Sequence, residues 1–400
     1  MVFEKYSNCK EQISLNIACN KLESIRKKHI LRTGMRAYKD GIIGIAGEVG
    51  SYEEDKLKQK AYAALASKLP YPCEPSQNRF EHIKVECTYM DDKRFISEME
   101  ATVEAVSSMC PDFYFSGKIE KIMQKTELKN DVNLDLIYEN NYIKSQILIK
   151  HKHSKNIFDA IIKYEKRNHE KTKYIKHIAQ ICDAYKNNLD ILPLGRYPII
   201  FDKSNELPFS KLFLELNGIK YAKKTSLFSN AQDKRIFSSN FSLYQSLNPD
   251  DSMSPFFDAE GVVNTEYKYP LIDAGVLLTP YTDKRTSFLY KLPLTGSASG
   301  EYDGIPVLKA KTFKVKEVSD TLKELLRGKK GIYPILADGS SFDSEGNFNM
   351  PIQLALIFDG ENFLGRLPEL QINSNIFEML GSGFVGATKD GYTVMELNIQ

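Results

Sequence analysis

The second half of this 400-residue sequence contains no histidine and no cysteine. All six histidines and all six cysteines lie within the first 182 residues. These two residue types hold catalytic zinc, and they are the commonest general bases and thiol nucleophiles of enzymes. Chemistry that depends on their side chains is therefore excluded from residues 201–400.

The cysteines also lack the arrangement of a disulfide framework or a zinc ribbon, because no two of them form a CxxC pair. They are Cys9, Cys19, Cys73, Cys87, Cys110 and Cys182. This pattern is typical of reduced thiols inside a cell. The N-terminus has no apolar signal-peptide core, and no run approaches 18 apolar residues. We therefore expect a soluble, cytoplasmic protein that does not contact a membrane.

Most catalytic and cofactor motifs are missing as well. The sequence has no P-loop, no GxSxG, and neither HExxH nor HExxxH. Residues Gly381–Gly386 fit GxGxxG, but a dinucleotide site needs a strand before the glycines and a helix after them. Here a short predicted helix precedes the glycines and a turn follows them. We attribute the match to chance and expect no cofactor.

The histidines do not form an obvious metal site. His151 and His153 are two residues apart in a strand-like segment, so both rings would point to one face and could begin a site that needs a third ligand. The flanking lysines would oppose a cation, which favours a solvent-facing basic edge strand instead. His169 and His177 lie two turns apart on a predicted helix, too far to share one ion.

Charge divides the chain into two unlike halves. Residues 1–200 carry 33 Lys and Arg against 27 Asp and Glu, and residues 201–400 carry 21 against 25. This difference predicts a domain boundary near the middle. The basic excess is densest from Lys144 to His177, where a phosphate-binding surface or a solvated helix face would fit, and the helical spacing of the apolar residues favours the helix. No stacking run of aromatic residues supports direct nucleic-acid contact.

The first half, residues 1–190, predicts an α+β domain in which a mixed sheet carries helices. Strand patterns occur around Ile13–Ile17, His29–Tyr38 and 119–163, with turns at Asp40-Gly41 and Asn140-Asn141. Helices are predicted from Ser51 with a capping box at Glu54, after Asp91-Asp92, and from about 165 to 187.

The second half, residues 191–400, predicts an antiparallel β-rich domain with short helices. Strand patterns dominate, and turns come at short intervals, among them Asp273-Ala274-Gly275, Asp338-Gly339 and Asp359-Gly360. The helical patches are short and lie at about 207–216, 284–291, 317–327 and 375–380.

Several segments of this second half together resemble the TldD/PmbA family, known as modulators of DNA gyrase and as zinc peptidases that act on unfolded peptides. They occur in the order of the family's motifs, and no single one is specific. The segments are GRYPIIFD (195–202), FDAEGV (257–262), PLIDAGVL (270–277), 282–287 with LTGSA (294–298), GNF (346–348) and NSNIFEML (373–380).

The sequence departs from the pattern of the active members of that family. Those members carry HExxxH on the helix after the opening strand and a cysteine near the C-terminus, which together leave one zinc position open for water. Here the corresponding helix, 207–224, has Glu215 but no histidine, and the C-terminal segment has no cysteine. The resemblance is therefore to the TldE (PmbA-type) subunit, for which no zinc is expected outside a catalytic partner.

The resemblance implies that this chain pairs with a TldD-type subunit and encloses an unfolded peptide in a groove between them. An alternative is a stand-alone homodimer that binds peptides or acts as a scaffold without peptidase activity. A peptide in such a groove would add as a strand to a sheet edge. The residues that the matched motifs offer for the groove are Asp258, Glu260, Gly261, Thr295, Gly296 and Ser297, and the same residues suit structural turns equally well.

Overall fold

The computed structural model describes residues 1–85, 90–203 and 206–400. It confirms the predicted α+β class, with helices packed on sheets that are mostly antiparallel. Cys87 lies outside the described residues.

One sheet is built entirely from the first half of the chain. Its core is four long antiparallel strands in the order β2-β1-β6-β7, extended by short strands at both edges. The strands are β1 (Val2–Ala18), β2 (Lys21–Lys39), β3 (Ile42–Val49), β4 (Leu69–Pro70), β5 (Arg79–Lys84), β6 (Phe113–Asn130), β7 (Leu134–His151) and β8 (Ala160–Lys166). The tight turn between β2 and β3 is the predicted one, because Asp40 and Gly41 both have positive φ (49° and 76°), as a two-residue hairpin requires.

Three helices cover the two ends of one face of this sheet. They are α1 (Glu54–Ala64), α2 (Asp92–Met109) and α3 (Lys171–Lys186). Asp91 caps α2 by accepting a hydrogen bond from the backbone N of Arg94, and the predicted apolar stripe from Phe95 to Val106 is buried. Alternate residues of β1, namely Ile13, Leu15 and Ile17, share the core beneath α2 and α3. The period of two along the strand thus selects the covered face.

Some details of the predicted secondary structure are wrong. Asn140 and Asn141 lie inside β7, because the buried Asn140 donates to the Met253 carbonyl and accepts from Arg167. The predicted capping box is absent, since α1 begins at Glu54 without a side-chain cap.

The segment from 165 to 187 and its neighbourhood also differ from the prediction. The helix begins at Lys171, because β8 continues to Lys166 and pairs with β7. His169 therefore precedes the helix, and His153 lies in a turn after β7 rather than beside His151 in a strand.

The described part of the second half forms three further sheets, mostly antiparallel, which together contain fifteen strands. The strands are β9 (Gly195–Phe201), β10 (Leu243–Ser246), β11 (Lys268–Asp273), β12 (Val276–Leu277), β13 (Ala298–Ser299), β14 (Val307–Leu308), β15 (Phe313–Val315), β16 (Gly331–Leu336), β17 (Ser341–Phe342), β18 (Asn347–Ile352), β19 (Leu354–Phe358), β20 (Phe363–Leu367), β21 (Leu370–Asn375), β22 (Phe384–Ala387) and β23 (Thr393–Ile399).

Short helices lie between these strands, close to the predicted positions. They are α4 (Leu207–Glu215), α5 (Gly218–Ala222), α6 (Lys284–Tyr290), α7 (Leu322–Leu326) and α8 (Ile376–Leu380). The predicted patch at 317–327 forms a helix only from Leu322, because Thr321 caps it by accepting from the backbone N of Glu324. One two-residue turn, with positive φ at Ala274 and Gly275, joins β11 to β12.

The two halves pack against each other over a wide contact. Leu354 and Leu356 of β19 share a core with α2 and α3, and Phe256 packs with Leu128 and Leu136 of the first sheet. No described sheet combines strands from both sides of residue 190, and the domain boundary itself stays a prediction. In the described part of the chain, no helix is long and apolar enough to cross a membrane.

Two glycines let the loop that contains Tyr302 lie directly on the first sheet. A Cβ on Gly34 would stand 1.6 Å from the Tyr302 carbonyl oxygen, and a Cβ on Gly47 would stand 2.5 Å from the Asp303 side chain. Gly34 and Gly47 face each other across β2 and β3. The backbone of the loop therefore occupies the space that any side chain at Gly34 would fill.

We expect Gly34→Ala to lower the free energy of unfolding by about 3 kcal/mol or more, because the clash is with backbone that cannot rotate away. Gly300→Ala is the matched control in the facing loop, since its Cβ would meet nothing closer than 3.5 Å. Urea unfolding monitored by circular dichroism measures both. Equal stability of the two variants would show that the Tyr302 loop does not rest on β2.

Candidate functional site at the junction of the two halves

The segment FDAEGV folds into a buried turn held by its own first carboxylate. Asp258 accepts hydrogen bonds from the backbone N atoms of Glu260, Val262 and Ala298, each at 2.9 Å. Gly261 has φ +72°, and a Cβ there would approach the side chains of Leu128 and Leu134 to 2.9 Å. Glycine is therefore required at this position both for its backbone conformation and for space.

Glu260 links this turn to the first half of the chain. Its Oε1 accepts a hydrogen bond from the Tyr71 hydroxyl, and its Oε2 accepts from the backbone N of Lys284 at 2.8 Å. The Ser76 hydroxyl donates to the Glu260 carbonyl at 2.7 Å. One residue thus joins the segment around 71–76, the turn and the start of α6.

The environment of Glu260 disfavours its charged form. Burial, and then the charge of Asp258, raise the pKa of Glu260 to about 8, against the hydrogen bonds from Tyr71 and Lys284. Burial also raises the pKa of Asp258, although Lys311 and three backbone N–H groups oppose that rise. The two carboxyl groups are therefore a coupled pair that holds a proton near neutral pH.

A buried ion pair continues the junction into β1 and β2. Arg36 Nη1 donates to Glu4 Oε1 at 3.1 Å and to the Ala259 carbonyl at 2.6 Å, and the Tyr38 hydroxyl donates to the same Glu4 oxygen at 2.8 Å. Among the described residues, Arg36 Nε and Nη2 have no hydrogen-bond partner. The guanidinium instead lies 5.2 Å from the centre of the Tyr6 ring, a cation–π distance.

The segment LTGSA forms a second buried turn beside the first. Thr282 and Thr295 bond each other reciprocally, from backbone N to side-chain oxygen, at 2.8 and 3.1 Å. Gln245 Nε2 donates to the carbonyls of Thr295 and Gly296 at 2.7 and 2.8 Å, and Gln245 Oε1 accepts from the Ser297 hydroxyl. The hydroxyl groups of Thr295 and Ser297 and the carbonyls of Thr295 and Gly296 are thereby paired inside the chain.

The six groove candidates are therefore brought together in two adjoining turns, where all six residues are buried. The Asp258 carboxylate accepts from Ala298, which directly follows Ser297. In the single chain, the polar side chains among them form hydrogen bonds with other groups of the protein. These bonds hold the backbone of the two turns in position. That they line a peptide groove stays a prediction.

Sequence reasoning missed the partners of these residues. Tyr71 and Arg36 lie 189 and 223 residues from the groups that they contact in the turn. Neither sits in a motif, so nothing local marks them. Gln245 is likewise an ordinary strand residue by sequence.

The helix after the opening strand carries a buried charge cluster. On α4, Lys211 Nζ lies 3.1 Å from Glu215 Oε1, and Lys220 Nζ of α5 lies 2.8 Å from the same oxygen. The other oxygen, Oε2, accepts from the backbone N of Leu227 at 2.9 Å. Burial would raise the pKa of Glu215, but the hydrogen bonds from Lys220, Leu227 and Lys211 outweigh it and lower that pKa.

These residues do not fit a zinc ion. The helix offers one carboxylate, which already binds two ammonium groups, and residues 201–400 contain no imidazole and no thiol. Lysine ammonium groups cannot ligate a metal, and they repel one. Within the described residues, no group of three or more His, Cys, Asp or Glu side chains is placed to hold a metal.

The two histidines that could have begun a metal site serve a loop instead. His151 Nδ1 accepts from the backbone N of His153 at 3.3 Å, and the His151 ring packs on Phe113 and Tyr185. Asp159 closes the loop by accepting from the backbone N of His151 at 2.8 Å.

Comparison with known proteins places this fold. Residues 194–395 match the model of the PmbA/TldA metallopeptidase C-terminal domain. The crystal structure of TldE from Thermococcus kodakarensis is similar over 100% of this chain and 96% of that chain, with 17% identity and a TM-score of 0.83. A gyrase-modulator structure from Thermotoga maritima MSB8 has 15% identity, the same two coverages and a TM-score of 0.80. The comparison with curated proteins finds no match.

We expect Glu260→Gln to remove a pH-dependent loss of stability. A carboxyl whose folded pKa lies above its unfolded value stabilises the fold fully below about pH 4.3, and this contribution fades as the pH rises towards 8. The unfolding free energy of the wild type minus that of the variant should fall between pH 5 and 8 by on the order of 1 kcal/mol per pH unit. Urea unfolding at pH 5, 6.5 and 8 measures it, and a constant difference would contradict it.

We expect Glu215→Gln to cost about 3–5 kcal/mol of stability, because it leaves two ammonium groups beside an uncharged amide, one of them buried. Glu361→Gln removes the partner of Lys323 from an exposed pair, and we expect no measurable change there. Thermal and urea unfolding compare the two variants. A Glu215→Gln protein as stable as the wild type would show that the cluster does not hold α4 in place.

Proposed function

Since the chain belongs to the PmbA/TldA metallopeptidase family, we propose that it is a subunit without catalytic zinc that pairs with a TldD-type, zinc-containing subunit. Together the two subunits would enclose and process unfolded peptides. The observation that carries this proposal is the cluster of Lys211, Glu215 and Lys220 on α4 and α5. This cluster lies on the helix after the opening strand, where, by the resemblance, active members of the family carry HExxxH.

The charge cluster indicates that this helix has lost the ability to bind a metal, and not merely one ligand of a metal site. Lys211 is nearly as buried as Glu215, and it also donates to the Ser344 carbonyl at 3.2 Å. Restoring a metal site would require the removal of a buried cation as well as the addition of three ligands. The fold is retained around this change, as the likeness to TldE over the whole chain indicates.

Exposed apolar side chains on α6 and the loop after it support pairing with another subunit. Phe288 is 60% exposed, Leu289 57% and Leu294 36%. They lie between Lys284, which bonds Glu260, and the buried Thr295. Exposed apolar side chains that lie close together are a feature of protein interaction sites.

The buried turns have a supporting role in this proposal. Asp258, Glu260 and Gln245 hold the backbone on both sides of α6. The exposed face of α6 would then meet the partner in a fixed orientation.

The five described cysteines are free thiols, which suits action in the cytoplasm.

The test combines metal content, association and activity. We expect the purified chain to hold no stoichiometric zinc after dialysis, to cleave no unfolded peptide alone, and to bind a TldD-type subunit that carries HExxxH and raise its activity. Phe288→Asp with Leu289→Asp should weaken that association at least about 30-fold, because interface anchors contribute roughly 2 kcal/mol each. Ile157→Asp, at a side chain that is 89% exposed on another loop, is the control.

Inductively coupled plasma mass spectrometry, light scattering and a fluorogenic peptide assay give the three readouts. Tightly bound zinc, or full peptidase activity of the chain alone, would overturn the proposal. Self-association that the α6 variant abolishes, without any binding to the TldD-type subunit, would support the stand-alone homodimer instead.

A further inference from the structure

The long strands of the first sheet carry a set of cations on the face opposite α2 and α3. We name this set the basic face, and it consists of Lys10, Arg26, Lys28, Arg32, Lys118 and Lys144. The strand registers place them on one side, because alternate residues of a strand share a face and the paired residues lie side by side. In one such row, Arg26 pairs with Ser14, Ser14 with Glu120, and Glu120 with Lys144.

Few carboxylates balance these six cations. Glu120 bonds Lys118 and accepts from the Ser14 hydroxyl at 3.0 Å, and Glu165 lies beside Lys144 in the register. Within the described part of the chain, no carboxylate lies within 4 Å of the charged atoms of the other five. The face therefore carries an excess of positive charge that the chain does not neutralise.

The crowding of cations is strongest around Lys10. Burial lowers the pKa of Lys10, and the nearby Lys144, Lys118 and Lys28 lower it further, against Glu120 alone. Like-charge repulsion destabilises the charged form of such a group in the free protein, and a bound anion removes that destabilisation. Lys10 therefore lies among like charges whose repulsion a bound anion would reduce.

Amides, a hydroxyl and apolar groups lie between the cations. Gln12 pairs with Lys28 on one side and with Ile122 on the other, and Ile122 pairs with Tyr142. Tyr142 is half-buried, and this burial raises its pKa to about 12. Gln124 lies beside Lys10.

This composition distinguishes between anionic partners. Sequence-tolerant binding of single-stranded nucleic acid uses several aromatic side chains on which successive bases stack. In the middle rows of the described face, Tyr142 is the one aromatic side chain on which a base could stack. The amides of Gln12 and Gln124, by contrast, can form hydrogen bonds with the backbone of an extended polypeptide. Cations spaced along a flat, pleated surface match carboxylates on alternate residues of such a peptide.

We propose that the basic face binds an extended, acidic segment of polypeptide and thereby selects the class of peptide that this protein receives. The inference deepens the proposed function and rests on it for the role of the bound peptide. Binding itself requires only this chain.

The experiment measures binding by the chain alone, in EDTA and without a partner subunit. Fluorescence anisotropy with a labelled ten-residue peptide of alternating Glu and Ser, compared with its Gln counterpart, gives the dependence on charge. We expect the Glu peptide to bind at least about tenfold more tightly at low salt and to lose this advantage as salt rises.

Variants locate the binding to the face. Lys10→Gln with Lys144→Gln should weaken binding of the Glu peptide about tenfold, whereas Lys10→Arg with Lys144→Arg should retain it. Lys155→Gln with Lys176→Gln makes the same change in net charge at exposed lysines away from the face, and we expect less than a twofold effect. Circular dichroism and thermal unfolding confirm that all variants are folded.

Three outcomes would overturn the proposal: equal binding of the Glu and Gln peptides, equal loss in both Gln double variants, or tighter binding of a labelled oligo-dT than of the Glu peptide at equal salt. The last outcome would identify the face as a nucleic-acid surface. Failure of pairing in the preceding test leaves this measurement unaffected, so the two proposals fail separately.

Discussion

The structure depends most on the buried contact of Arg36 and Glu4 with the turn at Ala259. A guanidinium and a carboxylate are costly to remove from water, and further hydrogen bonds to them reduce that cost. Here the other half of the chain supplies one such bond, because Arg36 Nη1 also donates to the Ala259 carbonyl, while Nε and Nη2 have no hydrogen-bond partner among the described residues. Glu260 and Tyr71 repeat the arrangement in the opposite direction. Each half therefore buries polar groups that form hydrogen bonds with the other half as well as within their own.

Local patterns in the sequence predicted the elements that local forces determine. Asp40-Gly41 adopts the positive φ values of a hairpin, Asp91 caps α2, and the apolar residues from Phe95 to Val106 face the core. The class of the fold and the character of the second half follow from such patterns. The prediction of a turn at Asn140-Asn141 was wrong, because Asn140 lies inside a strand and its side chain donates a hydrogen bond to the distant carbonyl of Met253.

The candidate site was only partly predictable for the same reason. The motifs identified Asp258, Glu260 and the turn from Thr295 to Ser297, and the structure places them side by side. Their burial and their partners Tyr71 and Gln245 depend on contacts between residues 50 or more positions apart. No periodicity or spacing encodes such a contact. The absence of imidazole and thiol ligands was visible in the sequence. The contact of two lysines with Glu215 was not, because it depends on how α4 and α5 pack.

The central position of β1 has a consequence for the synthesis of this protein. β1 is synthesised before β6, whose residues begin at Phe113 and which pairs with one edge of β1, and Arg36 precedes the Ala259 carbonyl that it contacts by 223 residues. At roughly 5–20 residues per second, that interval is on the order of 10–45 s. During it, Arg36 lacks the Ala259 carbonyl, whereas the free edge of β1 stays unpaired only until β6 is made. Because an unpaired strand edge can pair with other chains, the nascent chain is most open to association between the synthesis of β1 and that of β6.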